Sequence, residues 1–237
     1  MSRNFDKHWL YWLGQPGPSA RIRSRLASWR LGEASGARSD DTGRGNNLTD
    51  NNTVTQAVGK IGSAAQFTAA NSESLSLADN ADMSMGTGKR RTWSFWVYFD
   101  TVPASVMGLV MKWHSSGERE FAIIKSATNA IALVVSSDGA AASATATSTI
   151  TVTTGQWYHV LAGYDGTNIY LSVDNETLVS AAFSADVFDG AQAFRLGAYS
   201  DGSNFLNGRL DACRVYDRWL TAGERAEEWN SGAGVED

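Results

Sequence analysis

Two carboxylates at alternate positions of a β-strand point the same way. Such a pair can divide nucleophilic and acid–base work in glycoside cleavage. No Glu-x-Asp-x-Glu triplet occurs; the nearest match, Glu118-Arg119-Glu120, lacks the third acid and reads as a turn. His8, His114 and His159 are scattered, and no serine-nucleophile or phosphate-loop pattern occurs. Cys213 is the single cysteine, so neither an internal disulfide framework nor a cysteine-cluster zinc site can form. These residues point away from catalysis, and recognition chemistry remains. Sugar C–H faces pack on aromatic rings while sugar hydroxyls need polar partners. Trp96 and Tyr98 share one strand face, Trp113 and His114 border a Ser-Gly turn, and Tyr199 and Asn204 flank another. Trp96, Tyr98 and Trp113 are therefore the glycan-contact candidates, with core packing competing for the same rings.

The elements that would carry them are strands. The segment 92–99 (TWSFWVYF) alternates, putting Trp93, Phe95, Val97 and Phe99 on one face and Thr92, Ser94, Trp96 and Tyr98 on the other. Further strands are expected at 64–69, 74–77, 109–113, 120–124, 130–136, 148–152, 157–164, 168–173, 193–198 and 208–216. Clusters of Gly, Asn, Asp and Ser separate them. This spacing predicts an all-β sandwich or jelly roll. Tyr164-Asp165-Gly166-Thr167-Asn168 reads as a hairpin turn, and 139–149 (GAAASATATST) as a surface loop or edge strand. Thr221-Ala222-Gly223-Glu224 has the capping-box pattern and predicts one short helix over 222–230, stopped by Gly232. Of the nine tryptophans, Trp29, Trp93, Trp157, Trp219 and Trp229 are expected in core or capping positions.

Charge divides the 237 residues unevenly. Residues 1–30 hold six Lys/Arg against Asp6, for +5, so the remaining residues hold −10 of the net −5. A basic arm on an acidic body is implied, and the net charge argues against nucleic acid as the main partner. No apolar run approaches the roughly 18 residues of a membrane helix. Phe5, Trp9, Trp12 and Leu13 fall on one face of a short helix, whereas Arg21, Arg23 and Arg25 alternate as in an extended stretch. Residues 1–25 are expected to form an anchoring arm, docked on its own domain or on another subunit of a larger assembly. Its apolar run is too short for a secretory signal. The sequons at Asn47, Asn51 and Asn175 then read as chance matches.

Several motifs in order resemble laminin-G-like domains. Gln156-Trp157-Tyr158-His159-Val160, Tyr164-Asp165-Gly166 and Ile169 through Asn175 are similar to their central hairpin. Phe194 through Ala198 is similar to a later strand, and Asn207 through Tyr216 with Leu220, Thr221 and Glu224 to their closing signature. Ala27 through Leu31 and Asp41 through Asn46 are similar to the opening strand and loop. The resemblance implies a concanavalin A-like jelly-roll sandwich of two antiparallel sheets over 26–237, with His159 structural. It also implies a structural calcium site. Asp211 matches the closing-strand aspartate and Asp41 lies in the matching early loop, with Asp40, Gly45 and Asn46 as secondary ligands. The alternative for Asp211 is that it only accepts hydrogen bonds from loop amides. An extracellular type of module without an export signal suggests synthesis in the cytoplasm and display on a virion surface, as a capsid decoration or tail-associated protein. In that reading it is held by residues 1–25 and exposed to cell-surface glycans. A free lectin-like adhesion protein is the alternative, and a polysaccharide-degrading enzyme a lesser one.

Overall fold

The computed structural model describes residues 19–236. A one-turn helix, α1 (Ala20–Arg23), leads into β1 (Arg25–Trp29), β2 (Thr49–Asn51), β3 (Thr55–Val58), β4 (Ser63–Phe67) and β5 (Ser74–Leu77). Next come β6 (Arg91–Phe99), β7 (Met107–His114), β8 (Gly117–Lys125), β9 (Ala130–Val135) and β10 (Ala144–Thr151). The chain closes with β11 (Trp157–Tyr164), β12 (Asn168–Val173), β13 (Val179–Ala182), β14 (Phe194–Leu196), β15 (Gly208–Tyr216) and the helix α2 (Ala222–Trp229). No helix among the described residues is long and apolar enough to cross a membrane.

These strands form two antiparallel sheets. One has eight strands in the order β13-β12-β11-β6-β15-β4-β3, with β1 also paired to β15. The other has seven in the order β10-β9-β8-β7-β14-β5-β2. Alternation in β6 sends Trp93, Phe95, Val97 and Phe99 into the space between the sheets, as the pattern predicts. Trp93 stacks on Phe121 of β8 with ring centroids 4.3 Å apart, and Trp29 stacks on Phe194 at 5.6 Å. Aromatic pairs of this kind add about 0.5–1.5 kcal/mol beyond the area they bury.

Two local expectations change, and a third is resolved. Residues 21–25 are not extended throughout, because α1 takes Arg21 and Arg23 into a helical turn before Arg25 opens β1. Glu118 and Glu120 belong to β8, where Glu120 is fully buried. Its carboxylate lies 2.9 Å from the equally buried Lys112 ammonium, which also reaches Asp79 (2.6 Å), Ser84 Oγ (2.7 Å) and the Gly190 carbonyl (2.8 Å). The 139–149 segment divides, with its second half becoming edge strand β10 beside β9.

Candidate functional site

The outer face of the eight-stranded sheet carries Ser94, Trp96 and Tyr98 from β6, beside His159 and Leu161 of β11 and Asp211 and Arg214 of β15. Helix α2 lies over this face. Thr221 Oγ1 accepts from the Glu224 amide, and the Glu224 carboxylate accepts from the Thr221 amide, which fixes where the helix starts. Arg218 holds the Glu224 carboxyl down at about 2 by hydrogen bonding, against the opposing effect of partial burial.

The inner side of α2 presents Glu228, which is buried. Its carboxylate accepts hydrogen bonds from Arg21, Tyr216, Ser94 Oγ (3.0 Å) and Arg214 (3.3 Å), and Arg25 lies 4.0 Å away. Burial alone would raise the Glu228 carboxyl, but Arg214, Arg21, the Tyr216 hydroxyl and Arg25 outweigh it and hold it below its usual range. His159 Nε2 meets Ser94 Oγ at 3.0 Å. Burial presses the His159 ring down to about 4, with the nearby Glu228 opposing, so the imidazole is neutral near pH 7.

Beside this network, α2, the β11–β12 hairpin and the β12–β13 connection enclose a cleft of about 200 Å³. Its floor is His159, Leu161 and Ser172; Trp229 and Arg225 of α2 form one wall, and Asn175 and Glu176 the other. Trp229 is half-buried, with Trp96 stacked on it at 5.5 Å and His159 tilted against it at 5.8 Å. Asp174 and Asn175 both have positive φ (50° and 59°), and the Glu176 amide donates to the Val173 carbonyl. This is the tight two-residue turn in which Asn and Asp are favoured for their tolerance of the left-handed region. Glu176 accepts from Ser148 and Thr149 of the opposite sheet, both at 2.7 Å. It is the only acid lining the cleft among the described residues, so the cleft has no carboxylate pair for glycoside cleavage. An aromatic wall with an amide and a guanidinium around it suits a sugar ring.

The glycan candidates go to three places. Trp96 is on the outer face but buried beneath Trp229, with Lys60 over its ring at 4.5 Å, so it supports the cleft wall from behind. Tyr98 is half-exposed between Trp157 (5.5 Å) and Arg209 (4.5 Å). Trp113 lies on the other sheet, where Arg119 sits over its ring at 5.6 Å and Tyr199 packs against its cluster. Only 8% of Trp113 is exposed, which leaves little ring for a ligand. The two turns singled out near Trp113 and Tyr199 do meet, since Asp201 accepts from the Ser115 amide at 3.1 Å. Trp229 and Asn175 are what the sequence reading missed. Trp229 was assigned to core or capping, and its position in the last turn of a capped helix was the available signal.

The metal candidates do not converge. Asp211 accepts from the Ile61 amide at 2.8 Å, with the Lys60 and Ala212 amides also stabilising its charge. Burial nonetheless lifts its carboxyl to about 6. The amide-acceptor alternative therefore describes Asp211. Asp41 pairs with Arg30 at 3.0 Å. Asp40 accepts from the Ser28 and Asn46 amides (both 3.1 Å) and from the Thr42 amide and hydroxyl, which folds the 40–46 loop. No three His, Cys, Asp or Glu side chains gather around one point among the described residues. The donor set does not fit calcium, because Asp41 is paired with a guanidinium, Asp211 is held by amides, and neither is joined by further acids around a common point among the described residues.

Of the arm residues, Phe5, Trp9, Trp12 and Leu13 lie outside the described residues. Arg21 and Arg25 are buried against Glu228 of the same chain rather than turned outward, because that carboxylate would otherwise be left buried among few charges. Arg23 is exposed.

A laminin-G-type family model, described as the concanavalin A-like lectin/glucanases superfamily, matches residues 62–224. The chain belongs to this superfamily. No curated protein matches it by sequence. Among solved structures, the binding domain of Paraclostridial Mosquitocidal Protein 1 is similar at a TM-score of 0.72 and 14% identity, over 89% of this chain and 53% of that one. Domain 4 of AbnA, an extracellular arabinanase from Geobacillus stearothermophilus solved with arabinotriose, aligns at 0.63 and 18%, over 90% of this chain and 98% of that domain. Botulinum neurotoxin type C, in a structure concerned with its two ganglioside interactions, aligns at 0.67 and 9%, over 90% and 52%. The superfamily member described here thus spans about half the length of the toxin chains and nearly all of the arabinanase domain. The first of these neighbours is a binding domain and the second was solved with a bound sugar; at such identities all three share the fold with this chain.

Proposed function

We propose that this chain is a non-catalytic carbohydrate-recognition module that seats a neutral sugar ring in the cleft between α2, the β11–β12 hairpin and the β12–β13 connection. The observation that carries the reading is the half-buried Trp229, backed by Trp96, with Asn175 and Arg225 beside it in one cleft. In this reading the sugar's C–H face packs on Trp229 while its hydroxyls meet the Asn175 amide and the Arg225 guanidinium. Support also comes from the arabinanase domain solved with arabinotriose, which is nearly coextensive with this fold. The test is a glycan array followed by calorimetry with arabinotriose as the first probe, on the natural chain, Trp229→Ala and Asn175→Gly. Glycine suits the positive φ at 175 and removes only the amide. Binding that both variants weaken supports the cleft; binding that neither alters contradicts it.

Anchoring in a larger assembly, such as a virion surface, is a second role within this proposal. Its support is the aromatic face Phe5, Trp9, Trp12 and Leu13 in the sequence. Loss of co-purifying assembly partners on replacing the three aromatics by serine supports it, and unchanged co-purification contradicts it.

A further inference from the structure

A second recess, of about 430 Å³, lies between α1 and the 40–44 loop and shares no lining residue with the Trp229 cleft. Four arginines line it (Arg23, Arg25, Arg30 and Arg44), with Asp41 as the carboxylate of its lining among the described residues and the Thr42 hydroxyl and apolar Ile22 beside them; Glu228 lies 4.0 Å from Arg25, and Asp82 pairs with Arg44. Guanidinium groups gathered around a concavity favour an oxyanion there. Two of these guanidinium groups are held in place from one side. Arg30 Nε donates to Asp41 at 3.0 Å, while Arg44 Nε and Nη2 donate to Asp82 at 2.9 and 2.8 Å. Hydrogen bonding raises the Arg44 guanidinium further above its usual range, with slight burial opposing. Arg30 Nη1 and Nη2 and Arg44 Nη1 make no hydrogen bond among the described residues, so each group presents donors to a ligand. The loop beneath them is fixed by the four hydrogen bonds to Asp40 and by the Asp41 amide donating to the Ser28 carbonyl at 2.8 Å.

We propose that this recess binds an acidic sugar, with the carboxylate or sulfate held by Arg30 and Arg44. Guanidinium groups match planar and tetrahedral oxyanions through paired N–H donors. The volume lies in the range of sites that hold whole small molecules, about 300–1,000 Å³, so it admits the ring along with the anion. It also explains the misfit at Asp41: where a cation was expected, the chain has assembled a site for its opposite. The proposal goes beyond the Trp229 cleft and does not depend on it.

The test is a matched set of probes titrated into the full chain at low salt: glucose, glucuronic acid, glucose 6-sulfate and inorganic sulfate. Binding is read by NMR shifts of arginine Nε–H and tryptophan indole signals. Expected is binding of both acidic sugars, weakened by added salt, with shifts at Arg30 and Arg44. Arg30→Gln/Arg44→Gln should lose at least about tenfold in affinity, since charge-assisted pairs are the strong ones. Trp229→Ala should bind the acidic sugars as before. Both arginine side chains are about half-exposed or more (60% and 47%), so a melting temperature close to that of the natural chain verifies the fold. No binding of either acidic sugar, or equal binding by the double variant, overturns the proposal. Inorganic sulfate bound as tightly as the sugars overturns it in favour of a bare anion site. An Asp/Glu-rich peptide that binds more tightly than either sugar overturns it in favour of a protein partner.

Discussion

Arg21, in the first helical turn, donates to Glu228, in the last turn of α2, across 207 positions of sequence. This contact ties the beginning of the described chain to its end on the outer face of the eight-stranded sheet. Because Glu228 also holds Arg214, Tyr216 and Ser94, the same carboxylate positions α2, and α2 positions Trp229.

Glu228→Gln should therefore be strongly destabilising. It leaves Arg21, Arg25 and Arg214 buried around a neutral amide, and breaking a buried pair by removing one partner costs about 3–5 kcal/mol. Denaturant unfolding of the variant measures it. A loss under about 1 kcal/mol would mean that the network does not hold α2 in place.

The pH dependence of stability carries two opposed contributions. His159 drops from 6.5 to about 4 on folding, so its contribution is present above 6.5 and is lost as pH falls toward 4. Asp211 rises from 3.8 to about 6, so its contribution is present below 3.8 and is lost as pH rises through 6. Between pH 4 and 6 the two act in opposite directions. His159→Gln removes only the first, so its stability relative to the natural chain should improve as pH falls from 6.5 to 4, by up to about 3 kcal/mol. Parallel pH profiles for the two proteins would contradict the buried neutral imidazole.

Thr221→Ala removes the side-chain oxygen that receives the Glu224 amide, together with one partner of its carboxylate. A loss of about 1 kcal/mol is expected, with α2 loosened before the sheets. Hydrogen exchange of the α2 amides should quicken while that of β6 does not.

Gly163→Ala should disturb the same helix from below. A Cβ there would come within 2.3 Å of the Trp219 ring, which stacks on Tyr170 at 4.8 Å. Displacing Trp219 should cost about 1–3 kcal/mol, as overpacking does. Wild-type stability in this variant would show that Trp219 is free to move.

The sandwich was legible because alternation is a local signal. Residues 92–99 alone place four apolar side chains inward, and the capping box at 221–224 marks its helix without reference to anything distant. The short strands β2, β3 and β13 were not legible, since their exposed and half-buried residues lack a periodic apolar face. The site was harder still. Whether Trp96 reaches solvent depends on Trp229, which is 133 positions away and is held there by Glu228. Asp211 and Asp41 matched a ligand pattern by position, but amides and a guanidinium decide what those oxygens meet. Arg21 and Arg25 read as part of an extended, anchoring basic arm because their acid partner lies at the other end of the chain.

The most direct measurement for the carbohydrate-recognition account is calorimetric titration of arabinotriose, and of the best array glycan, into the natural chain and Asn175→Gly. The account predicts binding to the natural chain and at least about a fivefold loss in the variant, the order of one hydrogen bond of about 1 kcal/mol, with melting temperature preserved. Equal affinity in the two proteins, or no glycan bound by the natural chain, would contradict it.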